Sequence, residues 1–119
     1  MPRSVMVVFS NPASPEQEDE YNRWYTEKHI TDVVGNVPGI VKATRYQLSK
    51  DVGSATGAPN NPCSYLAIYE IEGETPAALK AVSEALSAAI QAGKVDISPA
   101  LDIGTLQTSY AVPIGEASE

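Results

Sequence analysis

The sequence is poor in the residues that usually build disulfides and metal centres. Cys63 is the only cysteine and His29 the only histidine among 119 residues. A single cysteine excludes an internal disulfide and is typical of a reducing compartment, so we expect a cytoplasmic protein. One histidine and one cysteine, far apart in the chain, cannot supply a structural zinc site, and no metal site is predicted.

Positive charge and long apolar runs are also scarce. Eight Lys and Arg residues oppose fifteen Asp and Glu, for a formal net charge of −7. The absence of a basic stripe argues against nucleic acid as a partner, and the acidity argues against an anionic membrane surface. No apolar run approaches the roughly 20 residues that a membrane-spanning helix needs. The short run Val5–Phe9 is interpreted as a first strand rather than a signal peptide.

The length predicts a single domain, residues 1–119. Val5–Phe9 is apolar at odd and even positions, which is typical of a strand covered on both faces. A helix is predicted to begin with Ser14 as N-cap and Gln17 as capping-box partner, and to end near His29 or Thr31. Ile40 to Ser49 is the second predicted strand.

The second half repeats this alternation. Residues 50–62 form a long polar loop, which we expect to be functional or mobile. Cys63 to Ile71 is a predicted strand, and Thr75-Pro76 begins a predicted helix that ends at Gly93. The last strand is predicted around residues 105–112, followed by a frayed tail.

This order predicts an α+β, ferredoxin-like βαββαβ fold, with a four-stranded antiparallel sheet and two helices on one face. Two helices cannot cover both faces of such a sheet. A second copy of the chain would cover the other face, so a homodimer is expected.

The segment from Tyr21 to His29 contains the most informative residues. It includes the only tryptophan, Trp24, and two of the six tyrosines, Tyr21 and Tyr25. On a helix these three rings share one face, and His29 follows Tyr25 by one turn. An aromatic wall beside an imidazole can hold an apolar ring and move a proton near neutral pH. Packing alone could equally explain Trp24, and a helix-capping role could explain His29.

Polar and aromatic residues of the strands supply further candidates. Arg45 could pair with a carboxylate such as Asp32 or Glu70, or bind a substrate carboxylate or enolate. Tyr65 and Tyr69 share one sheet face, where a phenol could stabilise an oxyanion or pack in a dimer interface.

Together these residues resemble the EthD-like and related small proteins of the dimeric α+β-barrel superfamily. The resemblance covers roughly Val5 to Tyr69. It rests on Ser10-Asn11-Pro12, Tyr21-x-x-Trp24-Tyr25-x-x-x-His29-Ile30-x-Asp32-Val33, Val37-Pro38-Gly39-Ile40 and Ala43-x-Arg45-Tyr46.

The resemblance implies a homodimer whose two sheets pack into a barrel, with a pocket between sheet and helices in each subunit. Its relatives include polyketide cyclases, cofactor-free monooxygenases, muconolactone isomerase-like proteins and haem-dependent enzymes. The family's histidine corresponds to His29, its aromatic partners to Trp24 and Tyr25, and its strand arginine to Arg45. The loop at residues 50–62 is expected to differ from relatives, and loops of this kind often form the lid of a pocket.

The leading hypothesis is an enzyme of isomerase, cyclase or lyase type that uses no cofactor and acts on a small aromatic or keto/enol metabolite. His29 and Tyr25 are the predicted catalytic residues. The predicted substrate-binding residues are Tyr21, Trp24, Arg45, Tyr65 and Tyr69. One alternative is a haem protein with His29 as axial ligand, or a cofactor-free monooxygenase. Another is a non-catalytic ligand-binding or dimerisation module whose aromatic residues are core.

Overall fold

The computed structural model describes residues 2–119, which form one antiparallel sheet with helices packed on one of its faces. The strands are β1 (Ser4–Ser10), β2 (Ile40–Gln47), β3 (Tyr65–Ile71) and β4 (Gln107–Ala111). Their order across the sheet is β2-β3-β1-β4, and each neighbouring pair is antiparallel. The predicted α+β, ferredoxin-like fold is therefore confirmed, although β2 and β3 are each two residues shorter than predicted.

The first helix is longer than the sequence suggested. It consists of a 3-10 turn (Pro15–Gln17), an α-helical piece (Glu18–Trp24), a π-helical turn (Tyr25–His29) and a second α-helical piece (Ile30–Asn36). The predicted end near His29 or Thr31 is wrong. Apolar residues continue at helical spacing, and Val33 and Val37 are both buried in the core.

The start of this helix is held differently from the predicted capping box. The Ser14 hydroxyl donates to Gln17 Oε1 at 2.9 Å and accepts no backbone N–H. Instead, the Gln17 backbone N–H donates to the Ser14 carbonyl at 3.1 Å. Pro15, at the first helical position, and this backbone turn therefore begin the helix.

The second helix (Pro76–Gln91) begins and ends as its sequence predicts. The Thr75 hydroxyl accepts the Ala78 backbone N–H at 3.1 Å, and Gly93 follows the helix with φ +77°. Gly39, in the turn after the first helix, has φ +97°, and a Cβ there would lie 2.8 Å from Val82 Cγ2. That turn therefore packs directly against the second helix at a position that only glycine fits.

The two faces of the sheet differ in cover. On the helix-covered face, the side chains of the two central strands, β1 and β3, are buried, including Met6, Val8, Tyr65, Tyr69 and Ile71. The opposite face, called the open face below, carries five half-buried apolar residues: Val5, Val7, Phe9, Leu66 and Ile68. Within residues 2–119, no helix combines the length and apolarity needed to cross a bilayer.

Candidate functional site

A cavity of about 100 Å³ lies between the helix-covered face of the sheet, the first helix and the second helix. The first helix supplies Tyr25, His29 and Val33, and the sheet supplies Met6, Val8, Tyr69 and Thr108. Leu86 and Ile90 of the second helix and residues 97–106 of the following connection close it. Thr108 and Ile97 are exposed, so the cavity opens beside β4.

His29 is presented to this cavity as a neutral base. The side chain is 8% exposed, and its Nδ1 lies 3.2 Å from the backbone oxygen of Asp96. A carbonyl oxygen only accepts, so Nδ1 carries the proton and Nε2 is the basic nitrogen of the neutral ring. Burial lowers the pKa of His29 below its ordinary value. The imidazole is therefore neutral at neutral pH, with its one proton on Nδ1.

The π-helical turn sets the position of this imidazole. The Ile30 N–H donates to the Tyr25 carbonyl, five residues earlier, instead of forming the usual i to i+4 bond. Residues four and five apart thus become neighbours. The His29 ring centroid lies 5.0 Å from Tyr25, edge to face at 88°, and 4.6 Å from Trp24. Such turns are frequent at functional sites, and no simple sequence pattern predicts one.

Tyr25 and Tyr69 are the two phenols of the cavity. Both are almost fully buried, at 3% and 1% exposed. Burial raises the pKa of Tyr25, against a smaller opposing effect of the Tyr69 phenol. Burial also raises the pKa of Tyr69, and the neighbouring Tyr25 raises it further. Both phenols therefore stay protonated and can donate a hydrogen bond to an oxygen atom of a ligand.

Tyr21 and Tyr65 lie outside the cavity, and their hydroxyl groups already have protein partners. The Tyr21 and Ser10 hydroxyl oxygens are 2.6 Å apart. Tyr65 donates to Glu18 Oε2 at 2.6 Å and accepts from Asn22 Nδ2 at 3.0 Å. Their rings pack at 5.2 Å between centroids. In this structure they join the first helix to the sheet.

Arg45 also joins helix and sheet. Its Nη1 donates to Thr26 Oγ1 at 2.8 Å, and its Nη2 donates to Asn22 Oδ1 at 3.0 Å. The guanidinium carbon lies 4.4 Å from the ring centroid of Tyr25 and 5.3 Å from the centroids of Tyr21 and Tyr65. Arg45 is therefore a cation stacked among three tyrosines, outside the cavity.

The carboxylate partners expected for Arg45 are wrong. Asp32 lies 2.9 Å from Lys28 Nζ, one helical turn away. Glu70 lies on the open face, where its neighbours are Lys42 and Arg3, each at 3.9 Å. Arg45 points to the helix-covered face instead, because its partner in register is the buried Ala67.

Trp24 is half-buried and covers the His29 ring from outside the cavity. Its indole N–H forms no regular hydrogen bond, although it lies near enough to the Asp96 carboxylate to contribute to the low pKa of that group. The main cause of that low pKa is Lys28, whose Nζ lies 2.7 Å from Asp96 Oδ1. Lys28 thus ties the connection after the second helix to the first helix.

Of the seven predicted site residues, the cavity includes Tyr25, His29 and Tyr69. Sequence reasoning missed Asp96 and the apolar lining from the second half, such as Leu86 and Ile97. The helical spacing of Leu79, Val82, Leu86 and Ile90 could have predicted the part of this apolar lining that the second helix supplies. No residue of the loop at 50–62 lines the cavity. Within residues 2–119, no three His, Cys, Asp or Glu side chains are placed to hold a metal ion together.

No family model matches the sequence, and no curated protein matches it. The fold is similar to the crystal structure of HapK from Hahella chejuensis, with a TM-score of 0.54 and 14% identity over 98% of this chain and 99% of that one. An ethyl tert-butyl ether D (EthD) family protein from Bacillus halodurans gives a TM-score of 0.48 and 14% identity, over 96% of this chain and 100% of that one. The likeness to HapK supports the predicted fold and no more.

Proposed function

We propose that this protein is an enzyme of isomerase, cyclase or lyase type that carries out acid/base chemistry without a cofactor. Its substrate is a small aromatic or keto/enol compound bound in the cavity. The observation that carries the proposal is that the neutral imidazole of His29 and the protonated phenols of Tyr25 and Tyr69 line the same largely apolar cavity.

The chemistry follows from these three groups. Nε2 of His29 removes a proton from the carbon next to a substrate carbonyl, and the carbonyl oxygen gains the negative charge. The phenol of Tyr25 or Tyr69 donates a hydrogen bond to that oxygen. The imidazolium then returns the proton to the same or another substrate atom. A positioned base contributes about 10²–10⁴-fold in rate, and one oxyanion donor about 10²–10³-fold.

The other candidate functions have less support from the geometry. Pockets for drug-sized ligands are typically about 300–1,000 Å³, so a cavity of about 100 Å³ is too small for a haem. A core packed without a cavity would favour a purely structural module, whereas here the His29 ring lines a cavity. A cofactor-free monooxygenase would begin with the same proton abstraction, followed by reaction of the substrate carbanion with oxygen.

A homodimer completes the proposal. The open face presents Val5, Val7, Phe9, Leu66 and Ile68, an apolar surface that a second copy would bury. Light scattering after size exclusion should give twice the monomer mass, and Ile68→Asp should give a folded monomer. A monomeric parent protein at micromolar concentration would contradict this part.

The function is tested with acetophenone, a single-ring ketone whose methyl protons exchange through the enol. In D₂O, the protein should accelerate deuterium incorporation, followed by NMR. His29→Gln should remove the acceleration while circular dichroism shows an unchanged fold. Equal exchange by the parent and His29→Gln would disprove the proposal, as would the lack of acceleration both for acetophenone and for keto acids such as phenylpyruvate.

A further inference from the structure

Among residues 2–119, no charged side chain lines the cavity. Its twelve residues are apolar except for His29, Tyr25, Tyr69 and Thr108. His29 is neutral at neutral pH, and both tyrosines are protonated. A carboxylate entering this space would lose its hydration without gaining a cation, which is strongly unfavourable.

Two cations neighbour the lining residues, and neither is available to a ligand in the cavity. Lys28 precedes His29 but is exposed and bridges two aspartates on the outer surface. Arg45 lies over the Tyr25 ring, but its hydrogen bonds run to Asn22 and Thr26. Neither side chain lines the cavity.

Two of the polar groups lie next to each other in the wall of the cavity. The rings of His29 and Tyr25 are 5.0 Å apart, and the remaining walls are formed by side chains such as Met6, Val33 and Leu86. An apolar cavity of about 150 Å³ holds benzene in another protein, so about 100 Å³ beside an open mouth suits one ring at most.

Resting on the proposed function, the geometry points to a narrower substrate class for this site. The substrate is an uncharged single-ring compound with one carbonyl or hydroxyl group, and the corresponding carboxylates are rejected. The ring packs against the apolar walls, and its single oxygen reaches the phenols and the imidazole.

Acetophenone and benzoylformate form a matched pair for the test, because a carboxylate replaces the methyl group of the same ketone. The chain has one histidine, so the imidazole NMR signals report binding at His29 without assignment ambiguity. Acetophenone should bind about 100-fold more tightly, equivalent to about 2.8 kcal/mol. Phenol should likewise bind more tightly than 4-hydroxybenzoate.

A charge added at the mouth should change this preference. Thr108→Lys places an ammonium group at an exposed lining position and should strengthen benzoylformate binding about tenfold, with the gain lost at high salt. Ser83→Lys is the matched control, since it adds the same charge at an exposed position on the second helix outside the cavity. Melting curves check that both variants are folded.

The inference is overturned if benzoylformate binds the parent protein as tightly as acetophenone, or if neither compound binds at millimolar concentration. An equal gain in Ser83→Lys also overturns it, because the effect would then come from net charge.

Failure of this inference is distinguishable from failure of the proposed function. His29-dependent exchange on phenylpyruvate but not on acetophenone would refute the substrate class alone. Preferential binding of acetophenone without any exchange would refute only the function.

Discussion

The aromatic cluster under the first helix has two ends that use the same residue types differently. At the closed end, Tyr21 and Tyr65 have hydroxyl partners at 2.6 Å, and Arg45 donates to the helix. At the cavity end, Tyr25 and Tyr69 line the cavity together with His29. Only about one helical turn separates Tyr21 from Tyr25.

This difference separates stability from chemistry. Polar groups that are satisfied by the protein hold helix and sheet together and have little capacity left for a ligand. Polar groups that line a cavity can still form hydrogen bonds with a ligand. Burial keeps His29 neutral and the two phenols protonated. Substitutions at the closed end should therefore change mainly stability, and those at the cavity end mainly turnover.

The largest effect is expected from His29→Gln. Glutamine keeps a polar side chain but cannot act as a base, so acetophenone exchange should fall by about 10²–10⁴-fold. The rate is measured by NMR in D₂O, with the urea midpoint measured beside it. A large loss of stability without loss of exchange would assign His29 to the structural group instead.

The next effect compares two tyrosines one helical turn apart. Tyr25→Phe should slow exchange by about 10²-fold if its phenol stabilises the developing oxyanion. Tyr21→Phe should leave the exchange rate nearly unchanged and lower the free energy of unfolding by about 1 kcal/mol, through loss of its bond to Ser10. Equal slowing in both variants would abolish the proposed distinction between the two ends.

Arg45→Met tests the closed end directly. Methionine keeps the apolar stem but removes the bonds to Asn22 and Thr26 and the cation from three aromatic rings. The free energy of unfolding should fall by about 2–3 kcal/mol, measured by urea denaturation. Exchange below the melting temperature should fall less than in Tyr25→Phe. Unchanged stability would show that the stacked arginine contributes little.

The low pKa of His29 predicts a pH dependence with a definite sign. The exchange rate should be at its maximum above the ordinary pKa of histidine. It should fall as the pH drops through the lowered pKa of His29, because the protonated ring cannot act as a base. Between these two values the unfolded chain binds more protons, so the free energy of unfolding also falls as the pH is lowered. The free energy of unfolding is measured by urea titration at each pH for the parent and for His29→Gln. The difference between the two isolates this contribution. A pKa above 6.5 in an NMR titration would contradict the buried neutral ring.

The smallest effect is expected from Lys28→Met. Lys28 is exposed, and it reaches the site only through its ion pair with Asp96, whose carbonyl accepts the His29 Nδ1–H. Exchange should slow by about fivefold or less, the scale of an exposed ion pair. The ¹⁵N shifts of the imidazole should show more of the other tautomer. A shift pattern identical to that of the parent would show that Lys28 does not position the ring.

The two ends were not equally predictable from the sequence. The pattern of elements, the second helix with Thr75 and Gly93, and the shared face of Tyr65 and Tyr69 follow from local rules. The hydrogen-bond partners of Arg45 could not be predicted in this way, because the sequence offers several carboxylates and polar side chains that Arg45 could reach. The end of the first helix was placed too early, although Val33 and Val37 continue its apolar spacing and are buried.

The amino-acid order alone determined which elements form and which faces of them are apolar, because these depend on neighbours within a few positions. It also placed an imidazole one turn beyond a row of aromatic rings. The tertiary structure alone decided that Tyr25, His29 and Tyr69 meet around a cavity while Tyr21, Tyr65 and Arg45 are closed off. That outcome depends on a π turn and on the contact with Asp96, 67 positions away. Such a contact exists only after the sheet and both helices have packed.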